Sequence, residues 1–254
     1  MTTAPAGDFD YDTHGYGYAT QRRTDPRIEA LVHAALGEGR SLINVGAGAG
    51  SYEPEDRYVV AVEPSAVMRG QRPARRVPAL NATAEQLPFD DNTFDAALAS
   101  ITVHQWPDPE QGLRELRRVS RGPVVVLTFD GDALDLLWLA EYAPELVTAE
   151  RLRYPKIDWI AQHIGTTARV EPVPIPIDCA DGFTEAYYAR PERFLDPAVR
   201  KSQSAWGFVD PTAESRAIEH LRTDLANGTW DTHYGHLRTQ PEFLGSLRLL
   251  IGLP

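Results

Sequence analysis

The chain has 254 residues, 43% of them hydrophobic, and a formal net charge of −11, a balance that suits one sizeable core, or a core with a cap. The negative charge speaks against a nucleic-acid or anionic-membrane surface, and no apolar run approaches the roughly 20 residues needed to span a bilayer. Met1 to Gly17 lacks the basic start and apolar stretch of a secretory leader, and the lone Cys179 excludes an internal disulfide and a multi-cysteine zinc site, so a reducing cytoplasm is the expected setting.

The first helix is predicted from Asp25-Pro26, a cap followed by proline at the first helical position. Ile28, Leu31, Val32 and Leu36 follow at helical spacing, and Gly37 and Gly39 end it. Ser41 to Val45 reads as a buried parallel strand that runs into three glycines at alternate positions, Gly46, Gly48 and Gly50. Glycine lets the backbone turn sharply and approach a ligand with no Cβ in the way. Tyr58 to Val62 is the second strand, and Glu63 at its C-terminal end suits the two hydroxyls of a ribose. Pro64-Ser65 starts a helix through Met68, Val77 to Leu80 is a weak third strand, and Asn81 to Phe89 is a loop with a short turn. Phe94 to Ser100 is the fourth strand, Pro109 to Val119 a helix on the spacing of Leu113, Leu116 and Val119, and Pro123 to Phe129 the fifth strand. This alternation predicts a doubly wound parallel sheet whose C-terminal rim binds the ligand. After Asp130 the rhythm breaks: 131–170 and 184–228 read as helical cap, Val173 to Ile177 as an edge strand with prolines, and Leu247 to Leu253 as a last strand. With no clean linker, 1–254 is read as a single domain with 18–130 as its nucleoside-binding core.

The glycine loop and Glu63 leave a dinucleotide open, but Ser51 stands where such a site prefers glycine or alanine. Glu53, Glu55 and Asp56, just beyond the loop, would repel a pyrophosphate and tolerate a cationic sulfonium. Three motifs then carry a resemblance: Asn44 to Gly50; Val62 to Ser65; and Ala84-Glu85-Gln86-Leu87-Pro88-Phe89-Asp90-Asp91-Asn92-Thr93-Phe94-Asp95. Over about residues 18–130 the chain resembles the class I S-adenosylmethionine (SAM)-dependent methyltransferases of the ubiquinone/menaquinone-methyltransferase-like (type 11) group. The resemblance implies an α/β, Rossmann-like, doubly wound, seven-stranded and mostly parallel sheet with helical cap insertions. It also implies SAM as cofactor and S-adenosylhomocysteine as product.

By that resemblance Gly46, Ala47, Gly48 and Gly50 approach the methionyl part, Glu63 with Pro64 serves the ribose, and Ala84 and Glu85 flank the adenine. Met68 packs on the adenine or in the core, Ser100 lies beside the sulfonium, and Tyr18 and Arg22 reach the cofactor carboxylate or form an exposed pair. The group usually has an acid where Asn44 stands, so Asn44 offers an acceptor without the charge. His104, just after the fourth strand, is the candidate general base, against a packing role for the same ring. Trp106, Asp130, Trp138, Asp181 and Phe183 are candidate contacts for the methyl acceptor, with helix capping the other reading for Asp130 and core packing for the tryptophans. Cys179 reads as inert, and His233, Tyr234 and His236 lack the further ligands of a metal site. The partner expected is a small acceptor methylated on O, N or C, in specialised metabolism; nucleic acid and membrane are not expected, and monomer and homodimer stay open. Two other readings are a nicotinamide-dependent oxidoreductase on the same sheet and a non-catalytic SAM-binding protein.

Overall fold

A computed structural model describes residues 22–254. Asp25 accepts from the Arg27 N–H and caps α1 (Pro26–Leu36), with Pro26 at a position whose missing donor leaves no bond unmade. Five parallel strands follow in the places the alternation predicts: β1 (Ser41–Val45), β2 (Tyr58–Val62), β3 (Ala79–Leu80), β4 (Ala96–Ser100) and β5 (Val124–Phe129). Their connections include α2 (Ala66–Gly70), capped by Ser65, and α3 (Pro109–Val119), capped by Asp108. The third strand is shorter than Val77 to Leu80, and Phe94 makes only an isolated bridge to Ser120.

Beyond β5 come α4 (Leu139–Tyr142), α5 (Pro144–Arg153) and α6 (Ile157–Ile164). The helical reading of 131–170 then fails at its end, where β6 (Thr167–Pro172) is a strand. Its partner lies some 80 residues further on in the chain, so no local pattern announces it. β7 (Ile175–Pro176) pairs with β8 (Glu242–Phe243) in a separate two-stranded sheet, where each strand is an edge, as the prolines require. Between them stand α7 (Pro197–Lys201), α8 (Pro211–Asn227) and α9 (Thr229–Tyr234) with short 3₁₀ turns. Finally β9 (Leu247–Leu253) inserts between β5 and β6, antiparallel to both.

The sheet order is β3-β2-β1-β4-β5-β9-β6. Order reverses between β1 and β4, so a crevice opens where their C-terminal ends part. Alternate residues feed opposite faces, as the pleat requires. Leu42, Leu98, Val125 and Leu127 pack under α1, while Ile43, Ala97, Val124 and Val126 pack against α3 and α6. The α1-side cluster continues without a break into Trp138, Phe194 and Trp230 beyond the sheet. Among the described residues no helix is long and apolar enough to cross a membrane.

Candidate active site

β1 delivers the chain to the glycine loop at the crevice. Gly46 has φ +68°, and a Cβ there would lie 2.0 Å from Thr102 Oγ1, so the loop and the turn after β4 touch backbone to side chain. The Ala47 N–H donates to the Val62 carbonyl at 2.9 Å, which ties the loop to the end of β2. Glu63 completes the tie: its two oxygens accept from the Gly48 and Ser65 N–H groups, each at 2.9 Å. Burial pushes the Glu63 carboxyl up, and the two donated N–H bonds oppose it. Each carboxylate oxygen has a further lone pair, so Glu63 can hold the loop and still accept from a diol.

Asn44 sits beneath the loop, where its Nδ2 donates to Glu53 Oε2 at 3.0 Å. Arg72 grips both oxygens of Glu53 at 2.8 and 2.9 Å and reaches the Gly48 carbonyl at 3.2 Å. Glu53 is therefore a buried, neutralised partner of Arg72 and not a loose acid beyond the loop. Glu55 likewise meets Arg75 at 3.1 Å and Arg76 at 3.4 Å. The expected repulsion of a pyrophosphate loses its basis, because arginines remote in sequence cancel these charges. Asn44 Oδ1 is buried without a partner in a residue that lines the cleft. A buried acceptor left empty points to a ligand donor.

The cleft is lined by Arg22, Asn44, Gly46, Ala47, Gly48, Glu63, Met68 and Ser100 from the expected cofactor set. Gly50, Pro64, Ala84 and Glu85 are not in its wall. Gly50 lies beside Arg72 and Arg76, the Pro64 carbonyl accepts from Arg69, and Ala84 is buried in the α3-side core. The Glu85 carboxylate accepts from the Asp108 N–H at 3.3 Å. Tyr18 lies outside the described residues.

A second cavity adjoins the cleft, and Arg22, Ile101 and Gln105 line both. Ile101 marks the junction with φ +52°, a left-handed conformation that a β-branched residue adopts only under constraint. Of the expected acceptor contacts only Phe183 lines this cavity, together with His104. The others are engaged elsewhere. Trp106 packs on Gly112 of α3, where an added Cβ would come within 2.5 Å of the ring. Asp130 caps the turn Gly131–Leu136 through the Asp132 N–H at 3.1 Å. Trp138 is buried edge-on to Tyr142, Phe194 and Trp230, with its indole N–H on the Tyr188 carbonyl at 2.8 Å. Asp181 is buried and accepts from Arg22 at 2.5 Å and from the Tyr52 hydroxyl at 2.9 Å. Arg22 thus borders both cavities with its charge matched by Asp181.

His104 is buried with its ring 4.6 Å from Tyr154, and its Nδ1 has no partner. Burial, then Arg153 and Arg22, push its pKa well below the usual histidine value, so the imidazole is neutral. Sequence reasoning missed two carboxylates in the same wall, Glu150 of α5 and Glu185. Burial pushes both up to about 7. Glu185 accepts from the Ser246 N–H at 2.8 and 3.0 Å. A signal for it exists in hindsight, an acid set between Phe183 and Tyr187; Glu150 in its polar helix offers none. Cys179 is buried with its thiol pushed up to about 12, as an inert role requires. No group of metal-ligating side chains occurs among the described residues.

Residues 43–126 match a family model described as a methyltransferase domain. The chain is 34% identical over 100 residues to a demethylmenaquinone methyltransferase of Mycolicibacterium paratuberculosis, covering 37% of this chain and 44% of that protein. It is 28% identical over 134 residues to a 2-methyl-6-phytyl-1,4-hydroquinone methyltransferase of Oryza sativa, covering 48% and 38%. The chain spans less than half the length of these curated relatives. A solved structure of a putative methyltransferase from an antibiotic biosynthesis pathway of Anabaena variabilis aligns over 92% of this chain and 99% of that one, with TM-score 0.85 and 28% identity.

Proposed function

We propose, for a chain whose residues 43–126 match a methyltransferase domain, that it methylates a small molecule held in the second cavity beside the glycine loop. The observation that carries this reading is the meeting of the two spaces at Ile101. On one side are Glu63 and the unpartnered Asn44 Oδ1; on the other is a largely apolar cavity. The likeness to the Anabaena protein, described as a putative methyltransferase from an antibiotic biosynthesis pathway, supports specialised metabolism as the setting.

When bound, SAM supplies a methyl group on a sulfonium that leaves as a neutral thioether. Glu63 would accept from the ribose hydroxyls while it holds the Gly48 N–H, and Asn44 Oδ1 would accept from an ammonium donor. Met68 would pack on the adenine, and Ser100 with Ile101 would border the reacting centre. Alignment of acceptor and methyl supplies most of the acceleration in a displacement with so good a leaving group. His104, kept neutral, can take the acceptor proton at its one unprotonated ring nitrogen. Its depressed basicity suits a proton lost late, once the acceptor atom has become acidic.

Calorimetric titration tests the pocket. S-adenosylhomocysteine is expected to bind one to one, about tenfold or more weaker in Glu63→Ala, where both ribose bonds and the loop tie go. NAD is the parallel titrant, because neutralised Glu53 and Glu55 leave room for a nicotinamide reading. Saturable NAD binding without S-adenosylhomocysteine binding would overturn the methyltransferase assignment.

A further inference from the structure

Glu150 has an unusual position. It lines the second cavity, and among the described residues no donor meets its carboxylate. Arg153, one turn further along α5, sends its guanidinium to Ser204 Oγ at 3.3 Å and over the Phe208 ring at 4.5 Å. Arg22 is matched by Asp181. An acid in apolar surroundings without a partner is costly, and proteins keep such groups where a ligand completes them.

The rest of the wall points the same way. Glu185 faces the cavity as a second acid, and the rest of the polar lining is Arg22, matched by Asp181, with His104 and the neutral Gln105, Thr184, Gln203 and Ser204. Around them the rings of Phe129, Tyr154 and Phe183 form one cluster, with centroids 5.6 Å apart for Phe129–Tyr154 and 5.4 Å for Phe129–Phe183. Ring faces attract cations as carboxylates do. A carboxylate ligand would meet two like charges. An alcohol would make a hydrogen bond and leave the charge of Glu150 unmatched. An ammonium satisfies both needs.

Resting on the methyltransferase reading of this cavity, we propose that it takes an apolar, ring-sized molecule bearing one protonated amine, and that Glu150 is the residue that fixes the ammonium. Burial pushes the Glu150 carboxyl up to about 7, against the opposing pull of Arg153, so at neutral pH without a ligand it holds a proton part of the time. An ammonium partner returns it to the ionised form. Specificity then comes from charge as well as shape, and neutral analogues of the same size are poor ligands.

The test titrates the protein, saturated with S-adenosylhomocysteine, with 2-phenylethylamine, 2-phenylethanol and 3-phenylpropionate as probes. The amine is expected to bind about tenfold or more tightly than the alcohol, with no binding of the carboxylate. Glu150→Gln should erase that preference and leave S-adenosylhomocysteine affinity unchanged. Equal binding of amine and alcohol, a preference that survives Glu150→Gln, or no binding of any probe overturns the proposal. The probe comparison on the unaltered protein decides even if the variant does not fold. Loss of S-adenosylhomocysteine binding alongside an intact amine preference would instead sink the methyltransferase reading alone.

Discussion

Glu185 shows how one side chain can be placed by its neighbours and penalised by them at once. Its carboxylate accepts from the Ser246 N–H, and Gly245 comes so close that a Cβ there would lie 2.4 Å from Glu185 Oε1. Burial outweighs these bonds and raises the pKa from 4.5 to about 7. Between those values the folded protein binds more protons than the unfolded chain, so this group makes stability fall as pH rises through that window. Below 4.5 the penalty is absent, and above about 7 it is complete. Glu185→Gln keeps an acceptor for Ser246 and cannot ionise. Urea unfolding is expected to show the variant gaining on the wild-type protein from pH 5 to pH 8, by on the order of 3 kcal/mol. A difference that does not change with pH would mean the carboxyl titrates normally. His104 is its counterpart in the same wall, held neutral by burial and by arginines that the sequence places far away.

At the scale of elements, α3 sets two preferences against each other. Asp108 caps it, Pro109 opens it, and Leu113, Leu116 and Val119 bury its inner stripe, all visible in the local sequence. Gly112 is buried inside it, where alanine would favour the helix by about 1 kcal/mol. The Trp106 ring fills the space instead, with an added Cβ only 2.5 Å from it and 3.1 Å from the Ala84 Cβ. Overpacking of this kind costs typically 1–3 kcal/mol, so Gly112→Ala is expected to lower stability despite its better helix propensity. Thermal unfolding measures the loss. S-adenosylhomocysteine affinity should hold, because Trp106 and Gly112 lie outside both cavities. A raised melting temperature would show that the ring can shift freely. The tryptophan was a fair candidate for an acceptor contact by its place on the rim; that it turns toward α3 follows from a glycine six residues on.

Across the whole molecule, Asp181 joins parts far apart in the chain. Arg22 precedes α1, Tyr52 belongs to the glycine loop, and Asp181 follows β7. Of the three, Arg22 lines both the cleft and the second cavity, and Tyr52 lines the cleft. Asp181→Asn keeps the shape and removes the charge opposite Arg22. Breaking a buried pair from one side costs about 3–5 kcal/mol, so both urea stability and S-adenosylhomocysteine affinity should fall in that variant. Unchanged affinity with reduced stability would confine the tie to folding.

The strand–glycine loop–strand–acid unit was legible because its elements are neighbours in the chain. Strand periodicity, positive-φ glycines and an acid at a strand end are local properties, and short right-handed connections leave little choice about how they assemble. The edge strand β6 was not legible, since its partner β9 lies some 80 residues away and Thr167–Pro172 is largely exposed, with no apolar face to betray it. Asn44, Gly46, Gly48, Glu63, Met68 and Ser100 of the expected cofactor set line one cleft, because the cleft is built from those same local units. Of the expected acceptor-side residues, Phe183 and His104 line the second cavity. Glu150 and Glu185, 35 positions apart, face one cavity, while Asp130, Trp138 and Asp181 are used up by caps, rings and an arginine. Sequence by itself determined the doubly wound sheet and the glycine-loop crevice on its rim, since both follow from local conformation and chain order. Only the tertiary structure decided which charges are matched, which acid stays unpaired, and where the second cavity lies. Pairing and desolvation belong to the space between distant segments and have no representation in any one of them.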